Sequence, residues 1–460
     1  MIEKLVEYLK NKKIIILGFG LEGYSTYRFI KKHIPEQKIY ISDANPNFLE
    51  KYEDVKNDDK AQIVPQEQYL KGLNEYDIIM KTPGLSFKDI DTSEFIGKIK
   101  SQLELFLEFV DVYTIGVTGT KGKSTTSSLI YNVLKEQKDD VHLLGNIGVP
   151  LFDEIDRLNK NSVVVLELSS HQLEFVEVSP NIAIVLNLFE EHLDHYKSYE
   201  HYINAKLNIA KYQKKCDNFI YSIDNECLKQ HVENIRNELK SNIFEISFNG
   251  NTKICKSDKL IIRDGIKVKN ESGDILYIDS DSRKILGEHN FNNIMFVSTV
   301  AKIMNLDMNK SMKSIYESKP LPHRMEFVCE LNGVKYYNDS IATIPESTIN
   351  GLETLKNVKT LIIGGKDRGI DYTKFAEYLN NTDIKNLICL PDTGWKIANM
   401  ITNNIMKKHI VKDMYEAVKI AKQVTSDGEI CLLSPAASSY GFFKNFKERG
   451  NLFKKLVNEN

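Results

Sequence analysis

The chain has 460 residues, 42% of them hydrophobic and 27% charged, with 61 Lys and Arg against 63 Asp and Glu and a formal net charge of -2. That balance excludes a nucleic-acid surface built on net basic charge, an acidic tail and a disordered chain, and no apolar run is long enough to span a bilayer or to serve as a signal peptide. The length calls for about three domains, and six scattered cysteines fit thiols in a reducing cytoplasm better than disulfides or zinc.

The first ten residues mix both charge signs in a helical pattern. Lys13-Ile-Ile-Ile-Leu17 then runs into Gly18-Phe-Gly-Leu-Glu-Gly23, and a second apolar run, Lys38-Ile-Tyr-Ile-Ser42, ends at Asp43. This is the spacing of a βαβ unit. Glycines stand at the three fingerprint positions, and an acid follows at the distance that places a carboxylate on a ribose hydroxyl. NAD and UDP fit the pattern equally. A third run, Tyr76-Asp-Ile-Ile-Met80, leads into Lys81-Thr-Pro-Gly-Leu85, a loop at a strand's C-terminal end, where ligands of open α/β sheets bind.

Thr114-Ile-Gly-Val-Thr-Gly-Thr-Lys-Gly-Lys-Ser-Thr-Thr126 takes an apolar strand through glycines to the head of a helix. It reads as a phosphate cradle. Gly119 and Gly122 let backbone N–H groups converge on an anion, Lys123 would reach the outer phosphates, and Ser124 or Thr125 would ligate Mg²⁺. The match to the general P-loop pattern is imperfect, with Val117 standing where a glycine is usual, and a plain turn is the competing reading. An amphipathic helix is expected over Ser127 to Glu136. The buried-strand run Asn161 to Leu166 closes on Glu167, a place suited to an acid that holds Mg²⁺, and the run Asn181 to Leu186 delivers His192 and Asp194 to the same rim. In the helix from Tyr199 to about Lys215, Lys206 taken alone reads as a solvated lysine. From Cys216 to about Arg283 alternating residues and Gly turns suggest a small antiparallel annex. Gly287-Glu-His-Asn-Phe-Asn-Asn293 opens a helix, and its amides serve either capping or ligand binding.

Leu321-Pro-His-Arg-Met-Glu326 breaks the preceding helix and marks a domain boundary. Three strand–turn segments follow: Thr360 to Ile363, Leu387 to Leu390 and Ile430 to Leu433. They predict a third α/β sheet. Its loops carry Asn338-Asp-Ser340, Gly364-Gly-Lys-Asp-Arg-Gly369 and Ser434-Pro-Ala-Ala-Ser-Ser-Tyr440, and Arg324 and Arg368 are cations apt for phosphate or carboxylate.

The ordered set of these stretches resembles the Mur ligases. It comprises Gly119 to Thr125, Gly145-Asn-Ile-Gly148, Glu167-Leu-Ser-Ser170, the run through Asp194, Ala205-Lys206, His289-Asn290 with Asn293, Pro322-His-Arg324, Asn338 to Ser340, and Ser434-Pro435 through Lys444-Asn-Phe446. The resemblance implies an α/β protein of three domains. Residues 1–110 would form a Rossmann-like UDP-binding domain, 111–320 a central P-loop ATPase-like parallel sheet with its β annex, and 321–460 a C-terminal Rossmann-like domain for the amino acid. It assigns Leu21, Glu22, Asp43, Thr82 and Gly84 to UDP, and Asn146 and His192 to the muramoyl substrate. ATP falls to Gly119, Thr120, Lys121, Gly122, Lys123, Ser124 and Thr125 with Asn293, Arg324 and Asp339. Two Mg²⁺ ions would be held by Ser124 or Thr125 with Glu167, and by His192 with Lys206, the latter matching a lysine that the family carbamylates. Arg368, Ser439 and Phe446 match positions that grip D-glutamate. Two positions depart from relatives: Ile341 stands where lysine is common, and Arg368 where some carry lysine.

The implied activity is ATP-dependent amide-bond formation between D-glutamate and UDP-N-acetylmuramoyl-L-alanine through an acyl phosphate, in the cytoplasm, on small-molecule substrates, with Lys123, Glu167, His192 and Lys206 catalytic and a monomer expected. No nucleic acid or membrane partner is implied. The alternatives are a Mur ligase adding another amino acid, a folylpolyglutamate synthase-like ligase, or, from another class, an NAD-dependent oxidoreductase or a nucleotide-binding regulator. The segment bearing Gly18 to Gly23 ahead of the phosphate loop counts against the folate enzyme. Gly365-Lys-Asp-Arg-Gly369, in place of Asp-Asn-Pro-Arg, counts against ligases that add diaminopimelate or lysine.

Overall fold

A strand buried on both faces must be apolar throughout, and joining parallel strands takes a crossover, so apolar runs alternating with amphipathic helices build parallel sheets. The computed structural model describes residues 2–146, 149–247, 267–269, 275–277 and 289–459. Three larger sheets and one hairpin result. The first sheet comprises β1 (Ile14–Leu17), β2 (Ile39–Ser42), β3 (Ala61–Ile63), β4 (Ile78–Lys81) and β5 (Ile99–Lys100). These are parallel in the order β3-β2-β1-β4-β5. The chain leaves β1 toward β2 and later returns to its other side as β4, so a crevice opens between the C-terminal ends of β1 and β4.

The second sheet holds β6 (Tyr113–Thr118), β7 (Val141–Gly145), β8 (Val163–Glu167), β9 (Ile182–Val185), β10 (Asn218–Ser222) and β11 (Asn242–Ile246). All are parallel, ordered β11-β10-β9-β6-β8-β7. Here the antiparallel annex expected from Cys216 onward needs correction. Residues 218–246 instead form a strand–helix–strand extension of the central sheet, because the helix Glu226–Ile235 buries Leu228 and Val232 against it. An antiparallel pair does follow, β12 (Lys267–Lys269) with β13 (Ile275–Tyr277), and the rest of the expected annex, like Gly287, lies outside the described residues.

The third sheet contains β14 (Glu326–Leu331), β15 (Val334–Asn338), β16 (Val358–Gly365), β17 (Asn386–Asp392), β18 (Lys407–Ile410) and β19 (Ile430–Leu433). Its order is β14-β15-β19-β16-β17-β18, parallel except for the β14–β15 hairpin. The chain therefore reverses its strand order at β16 and β19.

Two compact units emerge: Met1–Arg283 with His289–Ser318, and Lys284–Glu288 with Lys319–Asn460. In the first, one apolar core runs from the helices of the first sheet into the second, with Phe29 and Phe152 rings 4.6 Å apart where they join. In the second unit, separate apolar clusters cover the two faces of the third sheet. Among the described residues no helix is long and apolar enough to cross a membrane, and the five cysteines are free thiols.

Candidate active site

The loop expected to cradle phosphate leaves β6 at the point where strand order reverses, so the loops after β6, β8 and β9 converge beside it. Gly119 has φ 148° and Gly122 φ 88°, and a Cβ on either would press on Leu186 or on Asn293 Oδ1 at 3.0 and 2.9 Å. The loop is pinned from outside. Lys121 N–H donates to Asn187 Oδ1 at 2.8 Å and Asn187 Nδ2 donates back to Lys121 O at 3.0 Å. The Thr120 hydroxyl lies 2.8 Å from the Tyr202 hydroxyl. Lys123 opens the helix Lys123–Lys135 and donates to Gly119 O and Thr120 O at 2.8 and 2.9 Å. Thr125 is buried beside half-buried Ser124, and the Thr126 hydroxyl donates to Asn293 Oδ1 at 3.1 Å while Asn293 Nδ2 donates to Asn290. Asn293 thus stands at the loop rather than capping its own helix.

Glu167 ends β8 in register with Val117 of β6 and Gly145 of β7, and is 1% exposed. Its Oε1 accepts from Asn146 Nδ2 at 2.8 Å; Oε2 has no hydrogen-bond partner among the described residues. An orphaned buried carboxylate oxygen is costly, and a cation would satisfy it. Ile147 and Gly148 of the neighbouring turn lie outside the described residues. Lys206 corrects the solvated reading that its helical position alone suggested: it is 2% exposed and donates to Gly119 O at 3.0 Å. Burial first, then the Lys123 charge, drives its pKa well below that of an ordinary lysine, opposed by Glu191. His192 holds a left-handed backbone at φ 61°, and burial lowers its pKa. Among the described residues no three His, Cys, Asp or Glu side chains are grouped to cage a metal. Mg²⁺ fits such a site, because it keeps water and phosphate oxygens and takes only one or two carboxylates from the protein.

At the first sheet, Asp43 accepts from Phe19 N–H at 2.6 Å and Asn45 N–H at 2.7 Å, so the carboxylate that spacing assigned to a ribose also staples the glycine turn. The Thr82 hydroxyl donates to Leu17 O at 2.8 Å across the β1–β4 crevice. Leu21 is 80% exposed, and a Cβ on Gly84 would meet open space. Glu22 faces the second sheet, hydrogen-bonded with Gln172, and burial raises its pKa to about 7 despite the nearby Lys81. Sequence reading missed what Lys81 does. Its ammonium, buried at the end of β4, pairs with buried Glu174 at 3.2 Å, and Glu174 also meets His195 Nε2 at 3.2 Å. The available signal was a lysine in the last position of an otherwise apolar strand.

In the second unit the loops after β15, β16 and β19 gather at the reversal of strand order. Asp339 is 4% exposed, accepts from the Ser434 hydroxyl at 2.8 Å and from Met325 N–H at 3.2 Å, and burial lifts its pKa to about 6. Arg324 Nε is buried with no hydrogen-bond partner among the described residues. Ser439 is buried, Arg368 exposed, and Phe446 half-buried at the start of the helix Phe446–Asn458 with its ring 6.0 Å from His323.

Residues 117–301 match the Mur ligase middle domain and residues 323–437 the Mur ligase glutamate ligase domain. The UDP-N-acetylmuramoylalanine--D-glutamate ligase of Clostridium kluyveri is 33% identical over 472 residues, covering 98% of each chain. The chain belongs to the Mur ligase family. The enzyme of the same name from Clostridium botulinum is 34% identical over 473 residues, covering 99% of this chain and 98% of that one. In fold, this Mur ligase resembles UDP-N-acetylmuramate-alanine ligase MurC of Thermotoga maritima, with TM-score 0.59 and 20% identity over 97% of this chain and 99% of that one. It resembles equally MurF ligase of Thermotoga maritima, solved in complex with ADP, with TM-score 0.59 and 16% identity over 98% and 96%. As a Mur ligase the protein is an ATP-dependent, amide-bond-forming enzyme of peptidoglycan precursor synthesis with the three-domain fold of that family.

Proposed function

We propose that this Mur ligase joins D-glutamate to UDP-N-acetylmuramoyl-L-alanine in the cytoplasm. End-to-end identity to relatives named for that reaction carries the reading. In it, residues 1–110 hold UDP through Leu21, Glu22, Asp43, Thr82 and Gly84, residues 111–320 hold ATP, and residues 321–460 bring the amino acid to Arg368, Ser439 and Phe446. Arg324 and Asp339 would complete the nucleotide contacts.

The substrate carboxylate attacks the γ-phosphorus and ADP leaves, giving an acyl phosphate; the amine of D-glutamate then adds to the acyl carbon, loses a proton and displaces phosphate. Two anions must meet in the first step, so catalysis depends on positioning and on positive charge. Lys123 would exchange its loop carbonyls for the phosphates. Asn146 and His192 would orient the muramoyl end. Glu167 with Ser124 or Thr125 would hold one Mg²⁺, and His192 with a carbamylated Lys206 a second; bound there, the ions supply charge neutralisation for phosphoryl transfer. The depressed pKa of Lys206 supports that modification, since the neutral amine is the form that reacts with CO₂.

A Mur ligase using a different amino acid is the second reading, favoured by Ile341, which removes a cation where relatives commonly carry lysine; arginine at 368 keeps the positive charge of the lysine that some relatives carry. A panel of amino acids offered with ATP and the nucleotide substrate decides. Phosphate release that requires both D-glutamate and UDP-N-acetylmuramoyl-L-alanine is expected. Product with another amino acid alone would replace the assignment, and ATP binding without turnover on any of them would remove it.

A further inference from the structure

Arg449 is fully buried in the helix Phe446–Asn458, yet no carboxylate among the described residues lies within ion-pair distance of it. Its partners are neutral. Nε donates to the Ser340 hydroxyl at 3.0 Å, Nη2 to Ser340 O at 2.9 Å and Ala437 O at 3.0 Å, and Nη1 to Ala437 O at 3.1 Å and Gly364 O at 3.4 Å. Ser340 and Ala437 lie in the loops after β15 and β19, and Gly364 at the C-terminal end of β16 where its loop begins, and these meet where the third sheet reverses its strand order. Open α/β sheets bind ligands at that point. The loops approach the cation too closely for side chains: a Cβ on Gly365 would stand 2.2 Å from Ser438 O and 3.0 Å from Arg449 Nη1. Lys366 N–H donates to Ser438 O at 2.8 Å, joining two of the loops directly.

Packing alone does not account for this residue. An apolar side chain of similar volume would fill the space without the cost of burying a charge. Burial pulls its pKa down to about 9, which leaves it charged at neutral pH. A charge retained with no counterion among the described residues attracts an anion. We propose that Arg449 is the positioning residue of this crevice, tying the three loops together from beneath and lending an unneutralised positive charge to a carboxylate-bearing amino acid bound over them. Ser439, two residues beyond Ala437, and Arg368, four beyond Gly364, are set by the loops it holds.

The proposal rests on the reading of the chain as an amino-acid ligase, and its test uses whichever amino acid the wild-type protein ligates, so that loss of the D-glutamate assignment leaves it standing. Steady-state kinetics are measured in all three substrates for Arg449→Met and Arg449→Lys, with thermal unfolding alongside. Arg449→Met is expected to raise KM for the amino acid by about tenfold or more, with KM for ATP and for the nucleotide substrate moving less than about twofold. Arg449→Lys, which keeps the charge but not the fork, falls between. Where Arg449→Met does not fold, Ser340→Ala and Arg449→Lys carry the test, each expected to raise the amino-acid KM alone by about threefold or more. An unchanged amino-acid KM in a folded Arg449→Met, three KM values rising together, or no change in both substitute variants would overturn it. A wild-type chain that ligates no amino acid overturns the functional reading itself.

Discussion

Lys123 and Lys206 both donate to the carbonyl of Gly119, at 2.8 and 3.0 Å, so two amines share one acceptor in a buried place. Burial first, and then the like charge of Lys123, pushes the Lys206 pKa well down. Phosphoryl transfer needs the other to stay charged. Lys123→Ala is therefore expected to abolish acyl-phosphate formation, read by hydroxylamine trapping of the intermediate; undiminished trapping would remove the phosphate loop from the mechanism. Glu22 gives a second test at this scale. Its folded pKa of about 7 lies above the ordinary carboxyl value of 4.5, because burial penalises the anion. The folded protein thus holds a proton that the unfolded chain releases between those values, and stability contributed by this group is lost as pH rises from about 4.5 to 7. Glu22→Gln should remove that loss, raising the unfolding free energy at pH 8 relative to wild type by on the order of 2 kcal/mol while changing little at pH 4.5, as read by denaturant unfolding. An equal shift at both pH values would show that the carboxyl is not held neutral.

Pairs of elements carry the next level of constraint. Lys81 ends β4 and Glu174 follows the short helix Ser170–Leu173 beyond β8, so their buried ion pair ties the rim of the first sheet to the rim of the second. Breaking such a pair from one side leaves a charge stranded in low dielectric. Lys81→Met is expected to cost about 3–5 kcal/mol in denaturant unfolding, and adding Glu174→Leu should recover more than half of the loss. Additive losses in the double variant would mean that the two side chains are not coupled. The turn between β7 and Asn146 depends on a similar fit. Gly145 has φ 102°, and a Cβ there would sit 2.4 Å from Glu167 O, so the glycine lets Asn146 reach the Glu167 carboxylate.

Across the whole molecule the second unit contains a complete sheet with apolar clusters on both faces. A sheet so covered has the makings of an independent folding unit. A fragment spanning residues 319–460 is expected to unfold in one cooperative thermal transition with protected amides in β16, β17 and β19. A fragment without cooperative unfolding would mean that this unit depends on the remainder of the chain. The first unit should not divide as readily, because its apolar core is continuous through the Phe29–Phe152 contact. Separating its two sheets would expose that seam to water.

The sequence alone determined the strand–helix alternation, the three larger sheets and the loops at their C-terminal ends, because apolar runs, glycines at φ-positive turns and the Lys-Ser-Thr helix start are local signals. It also marked the glycine turn from β6 into the helix Lys123–Lys135, which the fold places at the reversal of strand order. Tertiary structure decided the rest. Whether Lys206 is solvated depends on which helix face meets Gly119, and nothing in its neighbours along the chain says so. Residues 218–246 read as alternating hairpin strands until their packing added them to the central sheet. Glu174 and Arg449 look like ordinary surface charges in sequence, and Lys81 differs only in ending an apolar strand, since burial and partnership arise from segments about a hundred residues apart meeting in space.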